Sequence, residues 1–593
     1  MTLPQLPVPP LDESLPRFLG TYSALAAPED VAAAEQMVER FRAGPAETLQ
    51  EDLERFAAAE HAEGRSWLTQ EWDHQYMAVR EPLTLSSSAA FELALRAETP
   101  GDAASRTAEI IHRIAVVHLT EARGETAPEI DPRGNELTME MWRCLTGGIR
   151  HPQPHADDVV PGSADATDRE IGVLHDGRLF ALPISDHDGR PLGTARLAES
   201  LRHILHLGTT SSSAAQTGRS FAGPSALGSE DLAPLLDDML TDAHNAETYC
   251  RLTDLLFTVT LTADAADGPA ERLRTFLTEP GRIWVQKPLS YQIDVGAEDD
   301  AEGDVVHVIA EHSAVDGGTL IEAVRRMQEV SPTVGSHPTT ELNAPQELTW
   351  RLTDAQHRTI DQRLRAYRSE ADALRVDVLR LPRIPDDQLP FRMSSDGLQQ
   401  LIMTIAQLIA FDRVRSVYES VDMRQFRAGR TECLRPVTPE AVAFARALLT
   451  SQAGQAGESA QDDLVAALDA HRDWVKACKT GHGFDRHLTG LQMIARHRSL
   501  EHPFFDSAAL DTVRTDLLST TSLGTSDQIV RYTFAPTVSY GYGIAYTQHP
   551  DHFEFTVSHL TDRADRPEQL LGALTEAAQL LHDHIRGLPQ TRD

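Results

Sequence analysis

The stretch VVHVIAEHSAVDGGTL, residues 305–320, constrains this chain more than any other. It opens on an almost continuous apolar run, the composition of a strand buried on both faces. The run stops on Glu311 and His312, and Asp316, Gly317 and Gly318 then turn the chain. A strand that ends on an imidazole beside a glycine turn puts the ring at a sheet edge, where a cleft can form. Taken singly, such a histidine is ordinarily a core residue bonded to a neighbour. Asp316 need not touch the ring merely because it is near in sequence.

The pattern His-x-x-x-Asp-Gly shifts that weighting toward chemistry. A neutral imidazole with a pKa near ~6.5 suits removal of a proton from a hydroxyl near neutral pH. The chain has no GxSxG nucleophile turn and no catalytic type of cysteine context. Direct transfer fits best: His312 deprotonates an alcohol, and the alkoxide attacks an acyl thioester. Asp316 either orients the ring or holds the turn.

Bulk properties narrow the field. With 593 residues the chain exceeds one ordinary core. Its net charge of −35 argues against nucleic-acid binding, which needs basic surface. The cysteines Cys144, Cys250, Cys433 and Cys478 lie far apart, in no metal-ligand spacing, and read as reduced thiols. The N-terminal stretch has no signal-peptide pattern, and no segment reaches the ~18 apolar residues of a membrane span. A cytoplasmic protein with no metal site is expected.

Helical patterns and strand patterns alternate, which predicts mixed α/β layers. Residues 27–44 read as a helix that ends at Gly44, and an alanine-rich helical stretch follows near 88–122. Residues 170–193 read as a β-hairpin, 208–229 as a low-complexity loop, and 282–295 and 305–313 as strands joined by an acidic turn. Helices are expected through about 420, a flexible connection at 453–463, three strands near the C-terminus, and a closing helix over 567–588.

Several separated motifs carry a resemblance. EHSAVDGG, YESVDMRQFRAGRTECLRP, GFDRHLTGL, LLSTTS and FAPTVSYGYGIAYT occur in order, preceded by LPQLPVPPLDESLPRFL, GNELTMEMWRCLTGGIRHP and EIGVLHDGRLFALPISDHDGRPL. In these the chain resembles the carnitine/choline acyltransferase family over most of its length. The resemblance implies an α/β, chloramphenicol-acetyltransferase-like fold: two similar lobes, each a mixed β-sheet flanked by helices, with an active-site tunnel between them. The expected parts are residues 1–94, an arm and helices packing on the C-terminal lobe; 95–360, the lobe with the catalytic histidine; and 361–593, the lobe with acceptor and oxyanion residues.

The resemblance also implies roles. His312 is the base and Asp316 its orienter. Tyr418, Thr431 and Arg486 match the residues that hold the carboxylate of carnitine. Ungapped counting places the Ser-Thr-Ser motif on Thr520, Thr521 and Ser522, with Ser522 as the oxyanion donor and Thr520 toward the acceptor. Phe534 matches an aromatic beside a trimethylammonium group. Tyr532 matches the residue that limits acyl length, so a short or unusually shaped acyl group is expected. Asp396 matches a helix-start acid that contacts pantetheine or caps the helix.

One departure concerns the donor. The positions matching two coenzyme A phosphate-binding lysines are Pro385 and Leu389, in the acidic run IPDDQLPF. Arg380, Arg383 and Arg392 flank it as substitutes. The donor is therefore acyl-coenzyme A or an acyl thioester on a carrier protein, with the pantetheine arm common to both. The thioester is a substrate, and no separate cofactor is implied. A carboxylate-bearing alcohol such as carnitine is the leading acceptor. The alternatives are a biosynthetic enzyme with a different alcohol or amine acceptor, and a non-catalytic binder that kept the fold.

Overall fold

A computed structural model describes residues 3–208, 220–262, 268–295, 304–332, 344–450 and 458–589. Two mixed sheets flanked by helices organise them. The first runs in spatial order Ile529–Phe534, Ala89–Leu93, Val305–Ala310, Leu289–Asp294, Thr258–Thr262, Glu170–His175, Arg178–Pro183 and Gln346–Leu348. The second runs Leu374–Pro382, His552–Leu560, Tyr542–Gln548, Leu518–Thr525, Val417–Asp422 and Thr431–Leu434.

The apolar strand Val305–Ala310 is buried at every residue. It pairs antiparallel with Ala89–Leu93 on one side and Leu289–Asp294 on the other. Neighbours on both edges and layers on both faces explain its unbroken hydrophobicity. Its end delivers His312 to the sheet margin.

The edge of this sheet comes from the far end of the chain. Ile529–Phe534 pairs antiparallel with Ala89–Leu93. Buried Arg531 fixes the crossing, donating to Glu92 at 2.6 Å in the first sheet and to Glu554 at 2.7 Å in the second. The N-terminal residues Leu11, Leu15 and Phe18 share a core with Phe484, Leu488 and Phe504.

Some expected elements differ. The alanine-rich stretch near 88–122 divides into the strand Ala89–Leu93 and the helix Ala103–Ala122, which Asp102 caps; pairing on both edges overrides the local composition there. The helix Pro28–Phe41 does not end at Gly44 but kinks through Arg42–Ala46 into Glu47–Ala62. Leu374–Pro382 is a strand inside a region expected to be helical, its charged residues lying on a half-exposed surface. Within 282–295 only Leu289–Asp294 is extended. The connection at 453–463 is helical from Glu458 onward. The acidic turn at 296–303, residues 209–219 of the low-complexity loop and residues 451–457 lie outside the described residues.

The helix Asp354–Ala371 spans the 360/361 boundary, and Ile360, Leu364, Tyr367 and Ala371 all join a core with Leu174 and Leu179 of the first sheet. The 94/95 boundary likewise leaves Ala89–Leu93, an interior strand of the first sheet, on the arm side. All four cysteines are free. No helix among the described residues is long and apolar enough to cross a membrane.

Replacing Arg531 with Met should leave buried Glu92 without its cation and Glu554 with only the longer contacts to Arg380, His549 and His552. A loss of about 3–5 kcal/mol is expected, read as a lower denaturant midpoint. The Michaelis constants of the surviving folded protein should stay within about twofold.

Candidate active site

The His312 side chain is 41% exposed, and its Nδ1 lies 3.2 Å from Asp316 Oδ1. Asp316 precedes the helix Gly317–Glu329 at the capping position, yet its carboxylate makes no cap bond. It turns instead to His312 and to Arg430, which donates to both carboxylate oxygens at 2.6 and 3.1 Å. Arg430 also donates to the carbonyls of His312 at 2.6 Å and Ser313 at 3.1 Å. One guanidinium thus holds both the acid and the backbone of the histidine. Burial alone would raise the Asp316 carboxyl; Arg430 and the contact with His312 overcome that and hold it well below the usual carboxylate range. Asp316 thus lies against both the His312 ring and the Arg430 guanidinium.

Gly317 and Gly318 serve space, not a left-handed turn, since neither has a positive φ. A Cβ on Gly317 would lie 2.6 Å from Leu523, and one on Gly318 would lie 2.5 Å from the Arg424 guanidinium. Arg424 in turn pairs with Glu129 at 2.6 Å. The segment 422–431 therefore grips the catalytic turn from the opposite lobe with two arginines.

Tyr418, Thr431 and Arg486 come together. Arg486 Nη2 lies 3.5 Å from the Tyr418 hydroxyl, and its Nε donates to the Thr431 carbonyl at 3.4 Å. Burial works against the Arg486 charge, but Tyr418 and Asp485 more than restore it. Burial pushes the Tyr418 phenol up, so it is a neutral hydroxyl donor. Tyr418, Arg486 and Ser519 line a cleft of about 570 Å³.

Two aromatics join this trio to the histidine. On the helix Thr69–Met77, Trp72 lies under Arg486 at 4.3 Å, and Tyr76 stands 5.5 Å from the His312 ring. Arg430 sits over both rings, 4.8 Å from Tyr76 and 5.6 Å from Trp72. The same helix separates the cleft, which takes Glu71, His74, Gln75 and Ala78, from a second cavity of about 530 Å³ bounded by Trp72, Asp73, Met77, Ser313 and Arg430.

The Ser-Thr-Ser match shifts by one residue. Thr520 is fully buried; its hydroxyl donates to the Tyr418 carbonyl at 2.7 Å and accepts from Gln400 at 3.0 Å. It ties strand to strand and offers nothing to an acceptor. Strand alternation puts Ser519 and Thr521 on the opposite face, and Ser519 lines the cleft with Tyr418. The motif therefore falls on Ser519, Thr520 and Thr521, the shift being absorbed in the hairpin that follows. Ser522 shares the Thr520 face; its Oγ accepts from Gly524 N at 3.2 Å. Phe534 is not among the residues lining the cleft; its ring presses on Gly543, where a Cβ would come within 3.0 Å of it. Buried Tyr532 stacks on Phe91 at 5.3 Å and donates to the Thr521 carbonyl at 2.6 Å.

On the donor side, Ser394 caps the helix Ser395–Phe411, so Asp396 does not. Asp396 accepts from the Tyr546 hydroxyl at 2.8 Å and lies 3.7 Å from His471, which is 3.5 Å from Glu419. Burial, with Asp396 adding to it, pushes Glu419 up to about 8. These three side chains bring possible metal-ligand atoms within 4.8 Å of one another. They are already joined to one another and to Tyr546 as an acid–base cluster. Arg383 donates to Asp386 at 2.7 Å and to the Pro550 carbonyl at 2.6 Å, and its Nε has no partner among the described residues. Arg392 is exposed.

Sequence reasoning did not single out Arg430, Trp72, Tyr76 or Ser519. Arg430 adjoins Thr431 inside a quoted motif, and that adjacency was a usable signal. Trp72 and Tyr76 had only helical spacing, which a core helix shares.

A half-exposed imidazole beside a buried, arginine-paired acid, with two polar cavities on either side of the adjoining helix, has the make-up of an acyltransferase site. The chain belongs to the choline/carnitine O-acyltransferase family, whose model matches residues 6–576. It is 25% identical to carnitine O-acetyltransferase of Mus musculus, over 98% of this chain and 94% of that protein. It is 23% identical to mitochondrial carnitine O-palmitoyltransferase 2 of Bos taurus, over 99% and 92%. Among solved structures, a trichothecene 15-O-acetyltransferase from Fusarium sporotrichioides aligns with TM-score 0.40 and 11% identity, over 86% of this chain and 94% of that one.

Because the Asp316 carboxyl is depressed in the fold, its ionised form adds stability above the unfolded pKa of ~3.9, and this is lost as pH falls through the lower folded value. Replacing Arg430 with Met removes the main opposing charge. The acid limb of kcat/KM should then move to higher pH, and a limb that stays in place would separate Arg430 from the site.

Proposed function

We propose that this chain transfers an acyl group from a pantetheine thioester to the hydroxyl of carnitine or a similar carboxylate-bearing alcohol, with His312 as general base. The observation that carries the reading is the placement of Arg486, Tyr418 and Thr431 one aromatic pair away from His312. The acceptor carboxylate pairs with Arg486 and takes the Tyr418 hydroxyl, a charge-assisted arrangement. His312 removes the hydroxyl proton and the alkoxide attacks the thioester carbon. The tetrahedral oxyanion takes a hydrogen bond from Thr521 or Ser522. The C–S bond then breaks, and the thiolate takes the proton from the imidazolium. Asp316, held by Arg430, keeps the ring oriented. Tyr532 fills space against Phe91 and restricts the acyl group to short chains. The reading calls for no cofactor beyond the thioester.

Exchange of His312 for Ala should lower kcat about 10²–10⁴-fold in a transfer assay whose products are weighed by mass spectrometry. Arg486→Gln should instead raise the acceptor KM about 10- to 100-fold. Of Thr521→Val and Ser522→Ala, the one that lowers kcat about 10²–10³-fold identifies the oxyanion donor. Transfer unaffected by His312→Ala would overturn the reading.

The pairing of Arg383 with Asp386 favours a second reading of the donor, a carrier-protein thioester in place of coenzyme A. Removing the 3′-phosphate from acyl-coenzyme A distinguishes them. With no working phosphate site, KM should change less than about twofold; a tenfold rise, about 1.4 kcal/mol, would restore coenzyme A as the donor.

A further inference from the structure

Four arginines line the cleft that contains Tyr418 and Ser519: Arg435, Arg486, Arg496 and Arg514. Two are neutralised. Arg435 donates to Asp485 at 2.7 Å and pairs with Asp516. Arg496 donates to both oxygens of Glu71 at 2.8 and 2.7 Å. Arg486 is the cation assigned above to the acceptor carboxylate. Arg514 remains. It donates only to neutral oxygens, Gln492 Oε1 at 2.9 Å and Thr489 Oγ1 at 3.1 Å. No ion pair joins it to any carboxylate among the described residues. Burial pushes its guanidinium down; Asp485 opposes this, and Arg435 and Arg486 add to it.

Arg514 is half-buried and makes no direct ion pair among the described residues, so an anion that reaches it gains a charge-assisted contact. The fold holds this guanidinium in place through Gln492 and Thr489, which fix its plane and leave donors to spare. The cleft, at about 570 Å³, lies within the ~300–1,000 Å³ range of sites for drug-sized ligands. It has room beyond the acceptor carboxylate. On a chain of net charge −35, the four arginines of the cleft outnumber its carboxylates Glu71, Asp485 and Asp516 by one, a local excess of positive charge.

We propose that the acceptor carries a second anionic group, bound by Arg514 with Thr489 and Gln492, in the cleft that Tyr418 and Arg486 also line. This inference rests on the acceptor reading above. Within the carboxylate-bearing alcohols it favours those with a second, separated anionic group over carnitine itself. Arg486 positions the end nearer the histidine, and Arg514 selects for the far end.

Binding of probes to the full chain tests this without any acyl transfer. Calorimetry compares unbranched α,ω-dicarboxylates, from succinate to suberate, with monocarboxylates of the same length. The best dicarboxylate should bind at least about tenfold tighter than its match, as one charged contact warrants. Arg514→Gln should erase that preference while changing monocarboxylate affinity less than about threefold. Arg514→Lys keeps the charge without the fork and should retain part of the preference; it also carries the test if the Gln variant fails to fold, as thermal melting will show. A preference absent at every chain length, or one that survives Arg514→Gln, overturns the second subsite alone. Monocarboxylate binding unchanged by Arg486→Gln overturns the acceptor reading itself.

Discussion

The clasp of Arg430 on Asp316 is the interaction on which the site depends. It crosses between the two halves of the chain, joining a carboxylate at the end of the first lobe's strand–turn to a loop of the second. Because Arg430 also takes the carbonyls of His312 and Ser313, it fixes the ring's backbone and the ring's partner together. A buried ion pair of this kind adds little net stability, since desolvation of both charges cancels much of their attraction. Its value is positional. The lobes cannot slide without leaving a charge unpaired, so the geometry of the base is tied to the geometry of the interface.

The same economy recurs at two further crossings. Arg424 meets Glu129, and Arg531 meets Glu92 and Glu554. In each case one fixed guanidinium spans the seam and meets carboxylates on the other side. Apolar packing, being non-directional, joins surfaces but does not set their register to the precision that proton transfer needs.

Sequence patterns made much of this legible. The apolar run 305–310 read as a buried strand because burial on both faces leaves that signature, and the C-terminal strands carried alternation or aromatic content. The strand Ala89–Leu93 did not, because AAFEL has neither β-branched residues nor alternation; its pairing comes from partners more than two hundred residues away. At the site, His312, Asp316, Tyr418, Thr431 and Arg486 could be named from motifs. The face on which a hydroxyl lies could not. Counting without gaps put the hydroxyl motif on Thr520, Thr521 and Ser522, and a one-residue change in strand register exchanges the two faces of every side chain. Arg383 pairs with Asp386, three residues on, a contact that no motif announced.

The crossing strand has a consequence for biogenesis. Ala89–Leu93 leaves the ribosome early, but its outer edge is covered only by Ile529–Phe534. Until then the nascent first lobe presents an unsatisfied row of backbone amides and carbonyls, the kind of edge that invites association with other chains. The two lobes are thus separate in architecture but not in maturation: the earlier one waits for nearly the whole of the later one to be made.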